Sequence, residues 1–450
     1  MIKEIRLRKG LDLKLAGEAI PQTENLKRSS IYGIRPTDFI GLKPKLTVKE
    51  GDKVKAGDSL FINKLSPSVK YVSPVSGTIV KIERGERRKL ISVQIASDEK
   101  DDYRQFKTFD LAAATKDSIL DLLCESGIFG FIRQRPYDIV ADPQTTPKAI
   151  FVSAFNKMPL AADFTYVVQG QEEDFQTGLT VLSKLSKVYL GISKEQSSSS
   201  LSQLKNVETT IFNGPNPAGN VSVHINHISP INKGEIVWTV TPDVVIFIGR
   251  LIRKGTIDFN RTIAVAGSII KNPHYVSMIV GAPISDIVNS QLKQTEHIRI
   301  INGNPLVGQQ CNLNDFVGAY STEITVIPEG DNINETLGWI MPRFNQFSSS
   351  RSYFSWLFPK SKTYDLDARI KGGKRHMIMS GEYDRVFPMD IYAGYLIKAI
   401  ITRDIDKMEA LGIYEISPED FAVAEFIDSS KLELQRIVRE GLDILRREMA

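Results

Sequence analysis

Turn residues cut the segment between positions 30 and 97 too often for it to form anything but short strands. Glu50-Gly51-Asp52, Ala56-Gly57-Asp58, Ser73-Pro74 and Ser76-Gly77 interrupt it, and Gly, Pro, Asp and Ser are the residues that close tight turns. Between the interruptions stand Val48, Val54, Leu60 and Ile62, then Val75, Ile79, Ile82, Ile91, Val93 and Ile95. Much of this pattern has a period of two, which lines one face of a strand. The segment is therefore a compact all-β module, and the rest of the chain has to be arranged around it.

The chain has 450 residues, a length that suggests about three domains. Past position 110 the pattern changes. Residues 148–155 and 187–192 read as buried strands with a helix over 170–185 between them, which implies a βαβ unit on a parallel sheet. A further strand is expected at 207–212. The four consecutive serines within 195–202 read as a mobile loop. A helix over 242–254 has Thr241 to cap it, Pro242 in its first turn and Gly255 to end it. Residues 256–330 return to strands at 262–265, 274–280, 297–301 and 320–327, with a short helix at 281–289. The last unit is helical towards its end. Ser417-Pro418 with Asp420 signals a helix start, and Ser430-Lys-Leu-Glu433 reads as a capping box for a final helix carrying Leu434, Ile437, Val438, Ile444 and Leu445 on its core face.

Composition closes several routes to function. Two cysteines, Cys124 and Cys311, cannot make a disulfide scaffold, a four-thiolate iron–sulfur cluster or a cysteine-rich zinc site. Lys+Arg 57 against Asp+Glu 53 leaves a net charge of +4, without the basic stripe of a nucleic-acid binder. No run approaches the roughly 18 apolar residues of a membrane span; the best, 391–401, is short and carries Lys398. The charged first 17 residues lack a signal-peptide core. A soluble chain, or one peripheral to a membrane through partners, is expected.

His224 and His227, three apart, invite a metal reading, but on a strand they point to opposite faces, and ordinary hydrogen-bonded histidines are expected. There is no Gly-x-Ser-x-Gly elbow, no Gly-x-Gly-x-x-Gly after a strand and no Walker A loop. Gly214-Pro-Asn-Pro-Ala-Gly219 has two prolines that each remove an N–H, so a turn is expected there. Six aromatics fall between positions 344 and 358, where the chain average is 8%. Phe344, Phe347, Tyr353, Phe354, Trp356 and Phe358 stand beside Arg343, Arg351, Lys360 and Lys362, a mixture that suits a docking surface or a small core.

Two resemblances follow. Val48-Lys-Glu-Gly-Asp-Lys-Val54, Ala56-Gly57 and Ser73-Pro-Val-Ser-Gly77 resemble a biotinyl/lipoyl domain. Lys64 lies near the place of that family's modified lysine, but its context differs and the loop to Pro74 is longer, so a structural use of the fold is expected. Over the whole length the chain resembles the A subunit of the Na⁺-translocating NADH:quinone oxidoreductase. The match runs through Leu7-Arg-Lys-Gly-Leu-Asp-Leu13, Arg84-Gly-Glu-Arg87, Pro159-Leu-Ala-Ala-Asp163, Gly178-Leu-Thr-Val-Leu182, Gly338-Trp-Ile-Met-Pro342 and Glu382-Tyr-Asp-Arg-Val-Phe-Pro-Met-Asp-Ile391.

That family is related in fold to the Rnf complex C subunit and the flavin-binding subunit of complex I. The resemblance implies an α/β multidomain chain. A biotinyl/lipoyl-like β barrel-sandwich with an N-terminal segment would occupy 1–105, and a Rossmann-like α/β domain 106–255. A small ubiquitin-like α+β domain would follow at 256–330, then a C-terminal helical domain at 331–450. It implies a peripheral subunit on the cytoplasmic side of the bacterial inner membrane, in a pump that oxidises NADH, reduces ubiquinone or menaquinone and exports Na⁺. Its partners would be the membrane subunits, the B subunit especially, and flavins and an iron–sulfur centre would sit on partner subunits.

Where the relatives carry a glycine-rich cofactor loop, this chain has Ser126-Gly-Ile-Phe-Gly-Phe-Ile-Arg-Gln-Arg-Pro-Tyr137. No cofactor is therefore expected in this chain, and no catalytic or metal-binding residue. Phe129, Phe131, Arg133 and Arg135 become candidates for a quinone cleft. Arg343, Phe344, Phe347, Arg351, Phe354, Trp356 and Phe358 are docking candidates. The competing readings are a self-sufficient NADH dehydrogenase, a carrier modified at Lys64, and a scaffold that touches no substrate.

Overall fold

In a computed structural model, the structure describes all residues except 1, 332–339, 360–361, 379–380 and 450. Gly338, Trp339 and Lys360 lie outside the described residues.

The turn pairs build the β module as their chemistry requires. Gly51 and Gly57 take positive φ of 90° and 101°. The two turns are copies of each other: Asp52 accepts the Lys49 amide and Asp58 the Lys55 amide, each at 2.8 Å. These turns connect strands of two antiparallel sheets. One contains Ile31–Ile34, Lys53–Val54, Gly77–Arg84 and Leu90–Ser97; the other contains Pro44–Leu46, Ser59–Asn63 and Lys70–Val72. Leu60, Phe61, Val69, Val75, Ile79, Val93 and Ile95 are buried between them. Lys64 begins the loop that joins Ser59–Asn63 to Lys70–Val72. Asn63 shapes this loop by accepting the Lys43 and Leu65 amides.

The central sheet has seven strands. Its middle four are parallel and lie in the spatial order Glu208–Asn213, Val188–Ser193, Ala149–Ser153, Val237–Thr239. In chain order this is third, second, first, fourth. Alternating side chains divide two cores. Ile150, Val152, Leu190, Ile192 and Trp238 enter one. Ala149, Phe151, Phe212 and Val237 enter the other, shared with the helices Ala393–Thr402 and Leu434–Glu448. A six-stranded mixed sheet holds Asn260–Ala266, His274–Ile279, Ile298–Asn302 and Glu323–Pro328, with Ile284–Val288 as its short helix. The N-terminal segment serves both sheets. Lys3–Arg6 pairs with Glu208–Asn213, and Thr23–Asn25 pairs with His274–Ile279.

Three local expectations are corrected. Residues 195–202 are not a loose loop but two short 3₁₀ turns. Gln196 is buried there, donates to the Ala154 carbonyl at 2.8 Å and accepts the Ser193 amide, while Leu201 packs into the core. The Ser430–Glu433 capping box does not form. Ser430 donates instead to the His376 carbonyl, and the carboxylates of Asp428 and Glu425 accept the Leu432 and Gln435 amides at 2.8 Å. Carboxylates at the end of the preceding helix reach these amides first. Thr241 does occupy the N-cap of Pro242–Lys254, and Gly255 closes it at φ 70°, but no cap bond forms from the threonine side chain.

The helices Glu172–Leu185 and Pro242–Lys254 touch backbone to backbone. A Cβ at Gly178 would fall on the Val245 carbonyl, and one at Gly249 on the Asp174 carbonyl. Close-packed interiors do not absorb such additions. Gly178→Val is expected to lower stability by about 1–3 kcal/mol through overpacking, measured as a drop in urea midpoint with unchanged slope.

Candidate functional site

Where the order of parallel strands reverses, between Ala149–Ser153 and Val237–Thr239, a cleft of about 490 Å³ opens at their carboxyl ends. Ligands of open α/β sheets bind at such switch points. Every layer of the molecule contributes to the walls: Arg35 and Asp38 from the β module, Phe131, Arg133, Arg135 and Asp138 from the edge of the central sheet and the turn before it, Asn304, Tyr320 and Glu323 from the six-stranded sheet, and Glu419 and Gln435 from the C-terminal helices.

Three of the four cleft candidates meet here. Phe131 lies among Phe39, Phe259 and Tyr320, with ring centroids 5.4 to 5.9 Å away. It borders the cleft although it is only 7% exposed. The Arg133 guanidinium sits 4.2 Å over the Tyr320 ring, with Nη1 3.4 Å from Asp138. Arg135, 1% exposed, pairs with the same carboxylate. Phe129 is fully buried, edge-on to Trp238 at 5.3 Å, and is not among the residues lining the cleft. The glycines of this stretch are used for packing. A Cβ at Gly127 would press on Val72, and one at Gly130 on Tyr71 of the β module.

The electrostatics are those of a closed, mixed-charge wall. Burial alone would raise the Asp138 carboxyl, but Arg135, Arg133 and Arg439 together hold it below its usual range. Burial and the neighbouring Asp420 push Glu419 up, with Arg135 opposing. Burial also raises Glu323, despite hydrogen bonds from Thr322, the Ala162 amide and Asn304. It pushes the Tyr320 phenol to about 12, and that hydroxyl donates to the Gly130 carbonyl at 3.1 Å. Tyr320, Glu323 and Glu419 carry no local motif. They become site residues only through tertiary placement.

Three family models cover most of the chain. One described as the NqrA N-terminal barrel-sandwich hybrid domain matches residues 5–98, the NqrA second alpha/beta domain matches 114–257, and the NQRA C-terminal domain matches 262–312. Curated relatives, each named as the A subunit of a Na(+)-translocating NADH-quinone reductase, match from end to end. The one from Vibrio parahaemolyticus is 33% identical over 450 residues, 99% of this chain and 100% of the relative. Those from Neisseria meningitidis serogroup B and Haemophilus influenzae are 34% identical with the same coverage. This chain belongs to that NqrA family. A chain of an NAD+-reducing [NiFe]-hydrogenase also matches in structure, at 12% identity over 47% of each chain with a TM-score of 0.34.

In this member of the NqrA family, the two histidines each hydrogen-bond a backbone carbonyl. His224 and His227 lie on the helix Val221–Ile228, not on a strand. His224 stacks on Phe212 at 3.9 Å and its Nε2 meets the Ala218 carbonyl at 2.9 Å. The bond to a carbonyl makes Nε2 the protonated nitrogen. Its Nδ1 is buried without a partner. Among the described residues no His, Cys, Asp or Glu cluster could hold a metal, and no helix is long and apolar enough to cross a membrane.

The docking candidates divide. Phe347 turns inward against Tyr364 and Phe426, whereas Phe344, Phe354, Trp356 and Phe358 are exposed. Arg351 lies over Trp356, and Arg343 over Tyr353.

Two outcomes follow from these buried groups. Asp138→Asn leaves Arg135 buried beside a neutral partner and should cost about 3–5 kcal/mol. Adding Arg135→Met should restore most of it in denaturant titrations. Burial lowers the His224 pKa from 6.5 to about 3. The unfolded chain therefore takes up this proton first, and stability is lost as pH falls from 6.5 towards 3, at about 1.4 kcal/mol per unit. His224→Phe should flatten that part of the stability–pH curve.

Proposed function

We propose that this chain is the peripheral, cytoplasmic-face subunit of a respiratory Na⁺ pump, and that it supports the quinone end of the pump without carrying a redox cofactor. The observation that carries this reading is the construction of the switch-point cleft. The third-second-first-fourth strand order supports a Rossmann-like domain, next to a small ubiquitin-like one. Yet Gly127 and Gly130, which could have let backbone amides approach a phosphate, are taken up by Val72 and Tyr71. What faces the cleft instead is an aromatic and arginine wall. Such a wall fits a planar ring carrying two carbonyl oxygens better than a dinucleotide.

In this reading Phe131 and Tyr320, which touch edge to face, border the quinone ring on one side, and Arg133 donates to a carbonyl oxygen. Asp138 fixes the direction of that guanidinium. NADH oxidation belongs to flavins and an iron–sulfur centre on partner subunits. The sodium path belongs to the membrane subunits, because an ion crossing requires spanning elements. The B subunit of the pump is the expected neighbour.

A second reading has its own support. Phe131 is almost covered and Arg133 is already paired with Asp138, as expected of a scaffold that never meets quinone.

Kinetics on the assembled pump separate the two. Arg133→Leu should raise the quinone KM by about tenfold, the worth of one lost charge-assisted hydrogen bond, while leaving the NADH KM unchanged. An unaltered quinone KM in a fully assembled complex would favour the scaffold. Sodium-independent activity in the assembly recovered with this chain would remove the pump reading itself.

A further inference from the structure

The described residues contain nineteen exposed large hydrophobic side chains, and seven of them fall within positions 340–358: Ile340, Met341, Phe344, Phe354, Trp356, Leu357 and Phe358. An isolated exposed apolar residue needs no explanation, but a contiguous cluster does. Here Phe344 forms the centre, with Phe354 stacked at 5.8 Å and Phe358 edge-on at 6.2 Å. The cluster is held to the body from behind. Phe347 inserts against Tyr364 and Phe426, and within the segment Lys362 donates to the Phe344 carbonyl at 2.6 Å. The segment is thus an anchored strap with its apolar side chains turned to solvent.

Its charge is of one sign. From 340 to 364 the sequence contains Arg343, Arg351, Lys360 and Lys362 and no aspartate or glutamate. Lys362 lies 3.6 Å over the Phe358 ring and Arg351 5.5 Å over the Trp356 ring. Among the described residues neither cation is paired with a carboxylate. Cations lying over exposed aromatic rings match the boundary layer of a bilayer. There the rings reach the acyl boundary and the cations remain at the headgroups. A protein partner would more often call for depleted charge at the centre of the patch and paired charges at its rim.

We propose that the strap of residues 340–358, together with Lys362, binds anionic phospholipid headgroups directly, with its aromatic cluster inserted at the membrane interface. This rests on the reading that the chain sits at a membrane and specifies lipid as the surface it meets. Each basic residue near an anionic bilayer adds to the attraction, which salt screens over about 10 Å at 0.1 M.

The test is flotation of the purified full-length chain with three preparations: phosphatidylglycerol–phosphatidylethanolamine vesicles, phosphatidylcholine vesicles, and phosphatidylcholine vesicles holding the pump's membrane subunits. The expected result is co-flotation with the phosphatidylglycerol vesicles, release by high salt, and little binding to plain phosphatidylcholine. Arg351→Glu with Lys362→Glu should weaken it at least about tenfold, and so should Phe344→Ser with Leu357→Ser. Arg351, Phe344 and Leu357 are exposed and Lys362 is half-buried, and an unchanged melting curve checks that each variant still folds. Brominated lipid should quench a fluorescence component that Trp356→Phe removes. Binding only to vesicles holding the membrane subunits would overturn the lipid assignment and leave the attachment reading standing. Binding to none would overturn both. Phosphatidylglycerol binding unaffected by either variant would also overturn the assignment of this strap.

Discussion

A single buried carboxylate holds the site together. Asp138 lies between Arg133 and Arg135, and Arg439 of the last helix donates to the Tyr137 and Asp138 carbonyls at 2.7 and 3.2 Å. Two elements far apart in the chain are thereby tied at one point: the edge hairpin of the central sheet, which forms part of the cleft wall, and the final helix. Arg133 then crosses to Tyr320 on the six-stranded sheet. Burying this many charges is costly unless each finds its partner. Here Arg133, Arg135 and Asp138 pair within one hairpin, while the Arg439 bonds to its carbonyls and the Arg133–Tyr320 contact fix how the layers sit against one another.

The parts that were legible in sequence are those whose chemistry is local. The copied turns Lys49–Asp52 and Lys55–Asp58 identify themselves, because glycine supplies the positive φ and aspartate accepts the nearby amide in both. The helices at 172–185 and 242–254 are legible through period and termination, and Gly255 stops the second where expected. Ser430 misleads because the rule for a capping box sees only four residues. Asp428 and Glu425, outside that window, take the amides instead. His224 misleads for a related reason. Its neighbours suit a strand as well as a helix, and a short apolar run does not distinguish the two.

The cleft is the least legible part. Phe131 and Arg133 attract attention because they replace small residues where a cofactor loop would lie. Tyr320, Glu323 and Glu419 attract none, since nothing adjacent to them in sequence hints at burial or at one another. Even Phe129, two positions from Phe131, faces the other way, into Trp238. The 3₁₀ turn Ile128–Phe131 separates the two rings.

The N-terminal segment affects how the chain is made as well as how it packs. Its strand Lys3–Arg6 finds its partner only at 210–213, and Thr23–Asn25 only at 275–277. At about 5–20 residues per second of synthesis, the first strand waits on the order of 10–40 seconds for its neighbour to leave the ribosome. During that interval the copied turns can already close the β module, which needs nothing beyond residue 106 for most of its core. The leading segment stays outside it as an unpaired tether. When the downstream strands arrive, it settles along an edge of each sheet and covers hydrogen-bonding groups that would otherwise be open to other chains. This leading segment thus joins each sheet only after strands made much later have emerged.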